Sequence, residues 1–183
     1  ATLADVDVQG ISEVSAADVA AADEMGFDIK LLAIAELIDT DGNAGVCVRV
    51  HPTLVPKTHP LAGVRDAFNA VFIEGDAAGQ VMFYGRGAGG APTASAVLGD
   101  IVTAARNRVT GSTGPGESSY AELPVLPMGA ATTAYFVHLR VLDRPGVLAG
   151  VAGVFAEHGA SIRSMTQKGE GDQAELLILT HVG

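Results

Sequence analysis

Residues 81–107, VMFYGRGAGGAPTASAVLGDIVTAARN, run from an apolar strand through a glycine-rich loop straight into a helix. Gly85, Gly87, Gly89 and Gly90 lack a Cβ, so the backbone there is free to take positive φ and to approach a ligand closely. The helix that follows offers unpaired N–H groups and the positive end of its dipole, which suit an anion or another polar edge. Pro92 fits the first turn, where a missing N–H costs nothing. Val97, Leu98, Ile101, Val102 and Ala105 recur at helical spacing and predict one buried face that anchors the helix. Gly85, Gly87 and Gly90 match G-x-G-x-x-G, but the chain continues as RNRVTGSTGPGESS instead of a second strand ending in an acid, so a complete dinucleotide-binding unit is excluded. A P-loop is excluded too, because Ala91 and Pro92 stand where Lys and Ser or Thr would be needed, and Arg86 is the only cation in the loop. A ligand cradle and a tight strand-to-helix packing turn both satisfy this pattern.

Upstream, Ser15 followed by Asp18 forms a capping-box start to an Ala-rich helix that stops at Gly26. The acids Asp18, Asp23 and Glu24 read as a solvated face, with no His or Cys near them in sequence to make a metal site. Strand-like runs at 30–37 and 45–50 flank Asp39, Thr40, Asp41, Gly42 and Asn43, whose Asp-Gly signals a hairpin. Two further strands, 67–74 and 80–84, are joined by a turn over residues 75–79. Together these elements predict an α+β arrangement, a mixed, antiparallel-rich sheet with packed helices.

With 183 residues, 48% hydrophobic and 17% charged, the chain has enough apolar material for one domain or two small ones. A net charge of −10 disfavours nucleic acid and anionic membrane surfaces as partners. The longest apolar run, 31–38, is broken by Glu36 and is too short to span a bilayer, and the acidic start at Ala1 is unlike a secretory signal. Cys47 has no second cysteine to pair with and sits in the alternating run GVCVRV, where it reads as a small core residue; a cytoplasmic location fits.

Residues 109–133 mix Gly, Ser, Thr and Pro without periodicity and read as a linker between a first domain, 1–108, and a last one, 134–183. In the last domain, residues 135–143 alternate as a strand and Arg144-Pro145-Gly146 turns. Leu148, Val151, Ala152 and Phe155 then mark a helix ending near Gly159, and residues 161–167 and 174–181 give two more strands. The order β-α-β-β is the first part of a ferredoxin-like unit. Ending before a second helix and last strand, it is expected to be partly disordered after Ala134, with 135–143 and 174–181 open for pairing with another copy.

The run NAVFIEGDAAGQVMFYGRGAGGAPTASAVLGDIVTAARN, with ISEVSAADVAAADEMGFDIKLLA upstream, resembles the central part of bacterial homoserine dehydrogenase, and AYFVHLRVLDRPGVLAGVAGVFAEHGASI resembles its ACT regulatory domain. The resemblance implies a cytoplasmic, commonly dimeric enzyme that interconverts aspartate semialdehyde and homoserine with NADP or NAD. It implies that the cofactor is held mainly by a Rossmann domain upstream of this sequence, along with the catalytic acid and lysine residues, so that no catalytic residue is expected here and these residues alone are expected to be inactive. What carries over is the glycine loop, with Gly89 as the cofactor contact and Gly87, Ala88, Gly90 and Thr93 beside it. For the ACT half, it implies a feedback amino acid, threonine, at Asp143, Arg144, Gly146, Val147 and Leu148. N–H groups of Gly146 and Val147 would meet its carboxylate and Asp143 its ammonium; in the other reading of the same residues Asp143 only caps the helix and Gly146 only turns the chain. A non-catalytic threonine sensor and a dimerisation module are the alternative readings.

None of the five histidines stands at a recognisable spacing from an orienting carboxylate, and His51 and His59, each before a proline, read as loop residues without metal-ligand spacing. No metal site is expected.

Overall fold

The computed structural model describes residues 1–40, 42–114, 116–117 and 120–183. Asp41 of the expected hairpin turn and Pro115, Ser118 and Ser119 of the expected linker lie outside the described residues. The chain forms two compact units, Ala1–Leu54 with Leu123–Gly183, and Val55–Glu122.

In the first unit, helix α1 (Ala16–Glu24) starts as its sequence requires. Ser15 Oγ accepts the Asp18 N–H at 3.2 Å while Asp18 Oδ2 accepts the Ser15 N–H at 2.8 Å, a reciprocal cap that satisfies two otherwise unpaired donors. Gly26, at φ 85°, reverses the chain into β2 (Phe27–Thr40), and β3 (Asn43–Pro56) follows a turn in which Asp39 Oδ1 accepts the Gly42 N–H at 2.8 Å. Both strands are longer than their apolar runs suggested. β3 has partners on both edges: β2 on one, and on the other two short parallel strands, β1 (Asp7–Val8) at Arg49 and Val50 and β6 (Val125–Leu126) at Val46 and Cys47. Pro52 is tolerated inside β3 because the ladder to β1 ends at the bond from Gln9 N–H to the Val50 carbonyl, so the next N–H on that edge is not needed. His51 therefore lies in a strand, not in the expected loop. Cys47 is 1% exposed, a core residue as its alternating run implied.

The same unit contains β7 (Phe136–Leu142), α3 (Val147–Glu157), β8 (Ile162–Glu170) and β9 (Gln173–Thr180), in sheet order β7-β9-β8 with both pairings antiparallel. This is the expected β-α-β-β unit. β9 is the central strand, so residues 174–181 do not offer the open edge the sequence suggested. Its Ala174, Leu176, Leu177, Ile178 and Leu179 are all buried. Successive side chains on a strand point to opposite faces, so both faces of β9 are covered. One face of the sheet carries His138 and Lys168, which pair with Asp18 and Glu24 of α1, and the other carries the Gln167–Leu176 rung; after Ala134 the three strands are paired along their length.

In the second unit, a 3-10 turn (Pro60–Gly63) capped by His59 precedes the hairpin β4 (Phe68–Gly75) and β5 (Gly79–Arg86), which is in continuous register from Phe68 opposite Arg86 to Gly75 opposite Gly79. β4 and β5 make their own two-stranded sheet instead of joining β2 and β3 in one. His59 is ordered by the N–H of Leu61 on its Nδ1 at 3.1 Å and by an edge contact with Phe72, so it too is not a free loop residue. α2 (Gly90–Thr110) closes on Gly111 at φ 71°. Its expected buried face is not buried: Val97, Leu98, Ile101 and Val102 are 46–60% exposed. A helix gains a dry face only against a second layer, and none of the described residues of this unit supplies one over that stripe.

Candidate functional site

The glycine loop is shorter than the sequence suggested, because β5 carries Gly85 and Arg86 into the hairpin. Arg86 is seated over the Phe68 ring at 4.7 Å, and Phe68 in turn stacks on Tyr84 with centroids 4.9 Å apart, so this cation stands at the base of the loop and not at its tip. Only Gly89 of the four glycines has positive φ. At φ 124° and ψ 147° it occupies a region essentially closed to residues with a Cβ, and it is the N-cap of α2 with no side chain covering the first turn. Gly87 is crowded for a different reason: a Cβ there would lie 1.9 Å from Asn69 Nδ2, so the Asn69 side chain would have to move. Gly85 and Gly90 stand in open space.

The N–H groups of Gly90 and Ala91 open the helix without intrahelical acceptors, and Pro92 has none to offer. Beside them is a concavity of about 730 Å³ lined by Gly89, Gly90, Thr93, Ala94, Val97 and Leu98. Thus Gly89, Gly90 and Thr93 of the expected set share one surface, and Gly87 and Ala88 lie outside that wall. An unobstructed pair of donors above an apolar slope can meet the polar edge of a ligand.

The second site is the turn after β7. Asp143, Arg144, Gly146, Val147 and Leu148 all line one pocket of about 340 Å³, together with Val141, Leu142, Pro145, Gln167 and Leu176. Gly146, at φ 91°, caps α3. Asp143 does not cap it. Its Oδ1 instead accepts the Gln167 amide at 3.0 Å. The Val147 N–H, expected to be free, donates to the Arg144 carbonyl at 3.3 Å, so it is not an open donor at this turn. Gln167 and Leu176 carried no signal in the sequence, since only the pairing of β8 and β9 brings them to the turn.

A third cluster was not legible in sequence at all. His138 Nδ1–H donates to Asp18 Oδ1 at 2.5 Å, and its Nε2 lies 3.6 Å from Glu175 Oε2, so the imidazole has the carboxylate neighbours that linear spacing did not reveal. Asp18 is thereby no simple solvated acid. Partial burial pushes its carboxyl up, but the Ser15 hydroxyl and N–H and the His138 ring outweigh this and hold it below the ordinary value of 3.8. Glu24 is likewise paired, with Lys168 Nζ of β8. Among the described residues no group of three or more His, Cys, Asp or Glu could hold a metal ion, and no helix is long and apolar enough to cross a membrane.

The family model for homoserine dehydrogenase matches residues 1–102 and that for the ACT domain residues 135–183. A homoserine dehydrogenase of Corynebacterium glutamicum is 54% identical over 181 residues, covering 98% of this chain and 41% of that enzyme. One of Mycobacterium tuberculosis is 53% identical over 188 residues, covering 99% of this chain and 43% of the relative. The crystal structure of a homoserine dehydrogenase from Thiobacillus denitrificans superposes with a TM-score of 0.87 at 40% identity, over 100% of this chain and 42% of the other. The chain thus spans about two-fifths of the length of the relatives it matches.

Proposed function

The chain belongs to the homoserine dehydrogenase family and carries an ACT domain, and from this premise we propose that it is the C-terminal part of an enzyme that interconverts L-homoserine and L-aspartate 4-semialdehyde with NADP or NAD. When bound, the nicotinamide would supply or take the hydride. The part played by these residues is positional. The donors at Gly90 and Ala91, with Gly89 and Thr93 beside them, would hold a polar edge of the cofactor, Val97 and Leu98 would shield its ring from water, and Gly87 and Ala88 would carry the chain into the loop. The observation that carries this reading is the Gly89 backbone, which opens a helix end to a ligand inside the segment matched by the family. Residues 109–133 act as the connection between the catalytic part and the ACT part, whose turn at Asp143, Arg144, Gly146, Val147 and Leu148 takes a feedback amino acid, threonine. The exposed stripe of α2 beyond that wall, at Ile101 and Val102, is the surface by which copies associate into a homo-oligomer, in the cytoplasm.

Homoserine oxidation is the deciding assay. A polypeptide in which a dinucleotide-binding domain precedes this chain is expected to reduce NADP or NAD, and the 183 residues alone are not. Failure of the longer polypeptide to do so would overturn the enzymatic reading. The pocket at the β7 turn would then favour a threonine-sensing module without catalysis.

A further inference from the structure

Helix α1 sits on the face of the β7-β9-β8 sheet opposite the turn pocket, and two adjacent rungs of that sheet serve the two sides. Gln167 pairs with Leu176, and both line the pocket. The next rung is Lys168 with Glu175. Side chains alternate along a strand, so this rung faces α1. There Lys168 Nζ pairs with Glu24, and Glu175 Oε2 approaches His138, whose other nitrogen binds Asp18.

We propose that α1 reads the occupancy of the 143–148 turn: a ligand at the turn and α1 seated on the far face are coupled through the neighbouring rungs of β8 and β9. The inference rests on the turn being an amino-acid site. A ligand ammonium drawn to Asp143 competes with the Gln167 amide now bonded to it, and moving Gln167 moves Lys168 on the same backbone. β9 cannot absorb the displacement by fraying, because it is buried on both faces. The α1 side is able to respond. His138 is held closely by Asp18 but its Nε2 makes no hydrogen bond, and Glu175 is divided between that ring at 3.6 Å and Arg140 at 3.7 Å. At nine residues, α1 is too short to be a stable helix in isolation, and its only buried residues are Ala21 and Ala22. Its backbone order therefore depends on its packing, against β2 as well as on this sheet.

Hydrogen–deuterium exchange on the 183-residue chain, with L-threonine as the probe, tests the coupling. The variants are His138→Gln, Lys168→Ala and Lys168→Arg; Asp18 is left alone because it also caps α1. Exchange in the β4–β5 hairpin serves as the control for general unfolding. Threonine is expected to slow exchange at 143–148 and at 16–24 together. Lys168→Ala and His138→Gln are each expected to weaken threonine binding by about fivefold or more, and Lys168→Arg to restore it. Protection at 143–148 with no change at 16–24, and unchanged affinity in the variants, would overturn the coupling and leave the turn site standing. If threonine protects neither segment, the turn reading fails and the ligand-free comparison decides the coupling. Faster exchange at 143–148 in Lys168→Ala than in Lys168→Arg supports it, and equal exchange overturns it.

Discussion

His138 Nδ1 lies 2.5 Å from Asp18 Oδ1, joining a residue of the segment matched by homoserine dehydrogenase to one of the ACT segment across 120 positions of sequence. The same Asp18 caps its own helix through Ser15. One carboxylate thus starts α1 and fixes where it docks.

The pH dependence follows from that double role. The Asp18 carboxyl is held below its ordinary 3.8, so the unfolded chain takes up its proton first as the medium is acidified. Its stabilisation is fully present above the unfolded value and is lost as pH falls through the lower, folded one. Urea unfolding midpoints measured from pH 7 down to pH 3 should fall more steeply for the native chain than for Asp18→Asn, and equal slopes would contradict this assignment. Ser15→Ala should cost about 1 kcal/mol at neutral pH through loss of the cap.

Gly87 and Gly89 should fail differently when replaced by alanine. Gly89→Ala forces a Cβ into a positive-φ conformation and should destabilise the Val55–Glu122 unit by roughly 1–3 kcal/mol whatever surrounds it. Gly87→Ala collides with the Asn69 amide, so its cost should be largely relieved in the double variant with Asn69→Ala, while Gly89→Ala should not be rescued by that change. Denaturant midpoints of the four variants separate the two causes.

At the β7 turn, Asp143→Asn removes the charge proposed to meet an ammonium group. Threonine affinity measured by calorimetry should drop roughly tenfold or more, the scale of one charge-assisted hydrogen bond. Gln167→Ala frees Asp143 from its amide partner, so a loss as large as that of Asp143→Asn would show that Gln167 itself holds the ligand and is not merely displaced by it.

Gly169 faces Ala174 near the end of the β8–β9 hairpin, where a Cβ would lie 2.7 Å from the Gln173 carbonyl oxygen. Backbone cannot step aside as a side-chain tip can. Gly169→Ala should therefore cost about 1–3 kcal/mol and raise amide exchange in β9, and an unaltered thermal midpoint would argue against this packing.

The apolar stripe of α2 should make the chain self-associate. Sedimentation velocity is expected to show concentration-dependent growth that Ile101→Glu with Val102→Glu abolishes, and a native chain that sediments as a monomer at high concentration would remove α2 as the interface.

What the sequence by itself determined was set by neighbours along the chain. Ser15 with Asp18 started α1, Asp39 with Gly42 turned the first hairpin, the residues between Gly75 and Gly79 turned the second, and Gly111 and Gly146 bounded helices, because caps and turns are satisfied within a few residues. Period-two alternation likewise marked β7, and the glycine and D-R-P-G-V-L motifs marked both surfaces that gather candidate site residues. Tertiary structure decided everything that depends on which distant group arrives. β1 and β6 at the edge of β3, Asn69 against Gly87, Gln167 beside Asp143 and Asp18 on His138 join residues whose spacing in the chain carries no physical signal. The stripe on α2 shows the limit most plainly: periodicity established which residues form one face, but burial requires an opposing layer, and no pattern within the helix specifies whether one is there.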